Sequence, residues 1–510
     1  MNNNINSKSI KFRFFVSLIA NVMRIILSFV TGLLIARYLG PDGFGHYSFL
    51  LGSFASFVML TDMGTSSAFF TFLSKKQRGP KYFLYYLNWI YIQFFGILFL
   101  IALILPHSIH NKIWMGHSKG LVILAFLASF AMRELWNQAS HVGESIRATA
   151  VVQAYTILLS IVYLISVIIM IATKTMTLAN IFIVIFIIHM TFIYLLFDKI
   201  RRKIFSEQDE LFMEIFNEFK VYCKPLVVYG IVSAAYTFAD VWFLQKFGGP
   251  VQQGYYAIGL RFSTICLLAT TSMLKVFWKE IAEAKEKQDK QRMFLLYSKT
   301  SQILYLMSAL GSCLVIPHSR DILLTFLGTS YEMGWVCLAI MFYYPVQQSL
   351  GQINGSFFYA TEQTKLHTQI SIGVMLVSIP VTYFTLAPST AFIPGLGLGS
   401  VGLALKTVIL SMVSVNLLIY FACKKADWPY RYSYQIKVVL VLFILSYGVK
   451  SVVGVIIGHI GLANNLIAAM AISAPFYLAL SIGIFYRFPE IADLEKKDIE
   501  GFFAIFKKTA

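Results

Sequence analysis

Charge is what this sequence has least of. Asp, Glu, Lys and Arg make up only 13% of its 510 residues, where a soluble protein of that length carries about a quarter. Hydrophobic residues fill 58% and the mean hydropathy is +0.70. A water-soluble fold is excluded. Cysteine is scarce as well: Cys223, Cys266, Cys313, Cys337 and Cys423 stand apart, with no C-x-x-C pair and no Cys/His cluster. That spacing suggests neither a metal nor a redox centre, and the thiols read as structural. Catalytic signatures are missing too: there is no G-x-x-x-x-G-K-[ST] phosphate loop, no H-E-x-x-H and no nucleophile elbow in a strand–turn–helix context. The expectation is a non-enzyme that needs no cofactor and no metal.

What the sequence does have is long apolar runs, and the first of them organises the rest. Residues 14–36 carry a single charge, Arg24. A helix of that length spans about 30 Å of hydrocarbon at about 1.5 Å per residue. A hairpin follows, Arg37-Tyr38-Leu39-Gly40-Pro41-Asp42-Gly43-Phe44-Gly45-His46-Tyr47. Pro41 fixes φ and ends the helix, and the glycines permit the turn. The signature returns at one constant offset: Gly249, Pro250, Gly254 and Tyr256 fall on Gly40, Pro41, Gly45 and Tyr47, and Lys246 falls on Arg37. A half-chain has been repeated.

Fourteen apolar spans are expected: 14–36, 45–72, 82–106, 121–138, 148–173 and 177–197 in the first repeat, then 225–247, 255–278, 298–316, 333–359, 366–386 and 397–423 in the second, then 434–457 and 462–485. The fold class is therefore all-α and polytopic. Its halves are six-helix repeats related by an axis along the membrane normal, because an even number of spans brings both copies into the membrane in one direction. The expected organisation is a lobe over 1–204, an amphipathic cytoplasmic linker over 205–224, a lobe over 225–425, and two more helices with a cytoplasmic tail over 426–510. Further amphipathic helices are expected over 280–292 and 495–508.

The net charge of +18 could point to nucleic acid, but the basic residues lie in short runs between spans, which is how membrane orientation is encoded. Only Arg37, Lys112, Lys119, Lys174, Lys246, Arg320 and Lys450 fall on one side, and four lie within spans. The remainder gather on the side of both termini, which is thereby expected to be cytoplasmic. The polar start, 2–13, leads into a run too long for a signal-peptide core, so the first span is expected to stay uncleaved. The longest outer connection, 316–332, leaves no room for a catalytic domain.

Ionisable residues inside spans are costly in lipid and usually face a cavity or a partner. The candidates are Arg24 near mid-bilayer; Asp62, Arg133 and Glu134 toward the cytoplasmic side; Asp240 and Arg261 at similar depth below the outer surface; and Lys406 in the twelfth span. Asp62 precedes Gly64-Thr65-Ser66-Ser67 and reads equally as a cap on a following helix. Asp240 with Arg261 reads as a structural pair or as a coupling site, and Arg133 with Glu134 as local solvation or as cavity lining. Gln348, Gln352 and Asn354, beside Pro345, could bind sugar hydroxyls or bond between helices. Cations outnumber acids at depth, which suits an anionic ligand such as a phosphate or diphosphate.

The run from Leu33 to Phe49, with Asp62-Met63-Gly64, Ala239-Asp240 and Gly254-Tyr255-Tyr256, resembles the Wzx-type O-antigen and capsule flippases. These belong to the multidrug/oligosaccharidyl-lipid/polysaccharide exporter superfamily. The likeness covers most of the chain and is thin in the third to sixth spans. It implies transport of an undecaprenyl-diphosphate-linked oligosaccharide to the outer leaflet of a bacterial inner membrane by alternating access. Arg24 and Arg261, with Arg133 and Lys406, would be cavity cations that bind substrate. Asp62, Glu134 and Asp240 would serve ion coupling or charge pairing. Partners would be the lipid-linked substrate and other polysaccharide-assembly proteins. A cation-coupled drug exporter of the same superfamily is the alternative, and a polysaccharide polymerase or ligase a more distant one.

Overall fold

In hydrocarbon no water can satisfy a backbone N–H or C=O, so each apolar run closes its hydrogen bonds internally as helix. The computed structural model describes residues 2–201, 210–459 and 466–498, with side chains from Ala20 onward except at 268–273, 275 and 276. Among these residues there is no strand, and the chain is all-α. It forms two compact units, 1–254 and 255–510.

The first unit contains α1 (Asn2–Asp62), α2 (Thr65–Lys75), α3 (Pro80–Phe99), α4 (His107–Ile113), α5 (Lys119–Phe130), α6 (Trp136–Ser145), α7 (Thr149–Ala172) and α8 (Leu178–Ile200). It also takes α9 (Phe212–Cys266) up to Gly254. α1 and α9 are each two crossings run together across one kinked glycine. Gly40 has φ 68° and ψ 177°, and Gly249 has φ 76° and ψ 178°. Only glycine tolerates that region, and Pro41 and Pro250 open the crossings that follow. The repeat read from the sequence thus recurs as one backbone conformation.

Gly45 and Gly254 do a different job from the one expected of them. Neither has positive φ; both are places of close approach. A Cβ on Gly45 would meet the Pro250 carbonyl, and a Cβ on Gly254 would meet the Pro41 carbonyl. The two turns are packed against each other reciprocally. From that contact α9 runs back along the second crossing: Val241 against Gly52, Phe238 against Phe57 (5.8 Å), Ser233 Oγ donating to Met59 Sδ (3.1 Å), and Leu226 against Gly64. Tyr222 and Phe219 then reach Phe72 at 5.6 and 5.8 Å.

At the far end of this contact a buried cation holds the start of α9. The Arg78 side chain is 2% exposed. Its guanidinium donates to Glu210 at 2.6 Å and to Glu218 Oε1 at 3.4 Å, lies over the Tyr82 ring at 4.8 Å, and shares Glu210 with Lys76 at 2.6 Å. The expected linker, described from residue 210, is continuous with the seventh crossing. Ile215 and Phe219 are buried, while Leu211, Phe212, Met213 and Phe216 stay exposed on its other face. Burial alone would raise Glu210, but its bonds to Lys76 and Arg78 outweigh that and hold it below the ordinary carboxylate value. Its contribution is therefore complete above the unfolded glutamate value of about 4.3 and fades as pH falls through the lower native value. Arg78→Ala strands two carboxylates, and a buried pair broken on one side costs about 3–5 kcal/mol; with Glu218 half-exposed, the low end of that range is expected. Thermal unfolding in detergent at neutral pH checks this, with Arg78→Lys recovering only part.

The second unit begins at Tyr255 and holds α10 (Leu268–Glu286), α11 (Lys290–Val315), α12 (Ser319–Leu327), α13 (Trp335–Met341), α14 (Tyr344–Ala360), α15 (Thr364–Leu386), α16 (Gly399–Ala426), α17 (Ser433–His459) and α18 (Leu466–Arg487). Its core joins Tyr305, Ala309 and Cys313 of α11 to Val346 and Leu350 of α14, to Val415 and Ile419 of α16, and to Val438, Leu442 and Tyr477 of the last two helices. The basic helix expected over 280–292 is not continuous. α10 ends at Glu286, Gln288 has φ 55°, and Asp289 caps α11 by accepting from Arg292 N at 2.9 Å. Of the expected tail helix, 499–508 lie outside the described residues. Within reach, Lys299 bonds Asp498 (2.5 Å), and Gln302 and Arg431 bond Asp493 at 3.0 Å.

Eleven helices among the described residues are long and apolar enough to cross a membrane. Two of these, α1 and α9, carry two crossings each, and another crossing is interrupted between α13 and α14. The protein is a polytopic membrane protein of about fourteen crossings.

Candidate functional site

Several polar side chains of the first unit meet where two helices lose their regularity. α1 stops at Asp62, where Met63 and Gly64 take φ of 46° and 87°. Asp62 makes the break possible: its carboxylate accepts from Gly64 N (3.2 Å), Ser66 N (2.8 Å) and Thr65 Oγ1 (3.1 Å), so it caps α2. Opposite, α5 and α6 are joined by a π-turn, Ala131–Leu135. The extra residue in such a turn re-aims its side chains, and π-turns recur at functional sites. Within it Glu134 is buried, 3% exposed, and its neighbour Arg133 is exposed.

Glu134 sits in a shell of neutral donors. Gln138 Nε2 donates to its Oε1 at 3.0 Å and to Ser66 Oγ, and the Ser66 and Tyr86 hydroxyls lie beside it. Trp89 Nε1 donates to Thr65 Oγ1 at 3.2 Å, and Gln93 Nε2 to the Thr61 carbonyl at 3.1 Å. Both acids at this level are thus engaged, one as a cap and one in an amide–hydroxyl network. The cations have no acid partner among the described residues. Arg24 is exposed and holds only Asn21 Oδ1, at 3.4 Å. Among the described residues neither Arg24 nor Arg133 forms an ion pair. Asp240 is buried in the same unit and engages a neighbour.

In the second unit Lys406 is buried, Arg261 is half-buried, and both engage neighbours. Asn354 is buried between α11 and α14, where its Oδ1 accepts from Tyr297 OH at 2.5 Å; it is used helix to helix. Gln348 and Gln352 are half-buried on the same helix. Sequence reasoning missed Gln138, Tyr86, Trp89 and Gln93 around Glu134. The available signal was four hydrogen-bonding side chains in apolar spans next to a carboxylate, since lone polar groups in lipid need partners.

The sequence model of the family described as "Polysaccharide biosynthesis protein" matches residues 13–278. No curated protein matches the chain in sequence. Among solved structures, the chain resembles the lipid II flippase MurJ in its inward closed conformation: 15% identity, TM-score 0.69, 93% of this chain and 99% of that one covered. It resembles an inward-facing multidrug resistance MATE family transporter of the MOP superfamily at 14% identity and TM-score 0.60, covering 81% and 98%. A MOP superfamily transporter from Pyrococcus furiosus, whose structure is titled for the reverse polarity of its binding pocket, follows at 12% identity and TM-score 0.54, covering 82% and 95%. At these identities the likeness is one of fold.

Proposed function

Since the chain belongs to the polysaccharide biosynthesis protein family, we propose that it is a flippase for an undecaprenyl-diphosphate-linked oligosaccharide, an O-antigen, capsule or exopolysaccharide unit. It carries this unit from the cytoplasmic to the outer leaflet of a bacterial inner membrane by alternating access, with both termini in the cytoplasm. One observation carries the reading: at membrane depth the first unit leaves Arg24 and Arg133 exposed and free of acid partners among the described residues, while Asp62 and Glu134 are engaged. Guanidinium groups grip phosphate oxygens two at a time, so each of these side chains suits a diphosphate. A drug exporter for cations would need its acids available, which is the opposite disposition. The partners are the lipid-linked substrate and, in the cell, the proteins that polymerise or attach the unit.

The test is flipping by the purified protein in vesicles, read with a lipid-linked oligosaccharide labelled on its sugar and a membrane-impermeant reagent that destroys the label. The labelled lipid should move between leaflets only in vesicles containing the protein, and an excess of unlabelled lipid diphosphate should compete. Protein-dependent efflux of a cationic dye with no movement of the labelled lipid would overturn the reading.

A further inference from the structure

From 366 to 405 the chain contains no Asp, Glu, Lys or Arg. This stretch covers α15, the connection after it and the first turns of α16. The connection, 388–398, is apolar yet outward-facing. Phe392 is 101% exposed, and Ile393, Leu396 and Leu398 are exposed with it. Water-exposed apolar patches on a soluble surface mark an interaction site, and here the backbone presents the patch rigidly. Leu396 N donates to Phe384 O at 2.8 Å, Gly397 N to Ala387 O at 2.8 Å, and Leu398 N to Thr385 O at 3.0 Å. Tyr383 OH donates to Ile393 O at 3.0 Å. Gly395 packs so tightly that a Cβ would meet the Ala387 and Phe384 carbonyls, and Gly397 and Gly399 have φ of 61° and 54°. The chain is folded back on the end of α15 in order to hold these side chains out.

We propose that 388–398 is an interfacial wedge inserted into the bilayer leaflet on the face opposite Lys365 and Lys424, with Phe392, Ile393 and Leu396 at the boundary of headgroups and acyl chains. Two observations select lipid as the occupant. The patch continues the apolar faces of the helices that flank it, Leu376, Val377 and Phe384 on α15 and Leu405, Ile409 and Met412 on α16, all exposed on crossing helices, the apolar surface that lipid covers. It also lacks a charged rim, whereas a protein interface surrounds its apolar centre with polar, charge-bearing residues. Aromatic side chains held at this level are the usual anchors of a membrane interface. The wedge stands independently of the substrate proposed above.

The full chain carrying Cys266→Ala with Phe392→Cys, Leu396→Cys or Ser389→Cys is labelled with an environment-sensitive fluorophore and reconstituted in phospholipid vesicles. At 392 and 396 a nitroxide high on the lipid acyl chains should quench severalfold more strongly than a water-soluble nitroxide. Ser389, on the polar edge, should show a weaker preference. Quenching dominated by the aqueous nitroxide at both 392 and 396 overturns the wedge. If Phe392→Cys does not yield folded protein, Leu396→Cys alone decides. A photo-cross-linking residue at 392 in growing cells should form lipid adducts; a discrete protein adduct in their place also overturns it.

Discussion

Arg24→Ala should abolish surface polysaccharide while leaving the protein in the membrane at wild-type abundance. Abundance and export depend on different properties of Arg24. Arg24 is exposed and makes only a long hydrogen bond to Asn21, so removing it strands no buried acid and opens no packed core. Function should fail because a hydrogen bond to a charged group is worth about 1.5–3 kcal/mol. Losing a bidentate grip on a diphosphate therefore costs about two to four orders of magnitude in affinity. Arg24→Lys restores the charge without the planar fork and should recover part of the polysaccharide; Arg24→Glu repels the diphosphate and should be worst. Complementation of a deletion strain measures the polysaccharide, and immunoblotting of membranes measures abundance. Full export by a well-inserted Arg24→Ala protein would remove the diphosphate-binding role.

The second large effect concerns the paired turns. A methyl added at Gly45 or Gly254 meets a backbone carbonyl, Pro250 in one case and Pro41 in the other. A side chain in the way could rotate; a carbonyl inside a helix cannot, so a whole helix must shift. Overpacking of that kind costs about 1–3 kcal/mol. Gly45→Ala and Gly254→Ala should therefore lower the thermal transition in detergent by similar amounts. The double variant should fall short of their sum, because displacing the helices once relieves both clashes. Valine at either position should prevent accumulation. A harmless Gly254→Ala beside a damaging Gly45→Ala would show that the contact is not reciprocal in solution.

The all-α fold, the number of crossings and the repeated glycine–proline turn were legible in the residues because each is a local property. Whether a run can lie in hydrocarbon depends on its own length and polarity, and whether a turn can form depends on one glycine's φ. The same reasoning picked out polar residues within spans but could not say what they touch. Asp62 was read with two alternatives, and only the break at Met63–Gly64 showed its carboxylate bonded to Thr65 and Ser66. Arg133 and Glu134 are adjacent in sequence, yet one is exposed and the other buried, and only the packing around this turn shows which. Arg78 looked like one of many basic residues in a loop; its burial depends on Glu210 and Glu218, far along the chain. Gly45 and Gly254 were read as glycines that permit a turn, and packing made them points of close approach. Lipid solubility was thus written residue by residue, whereas the disposition of free cations and engaged acids was decided by which helix ends meet, because a charge acquires its role only from what folding places within a few ångströms of it.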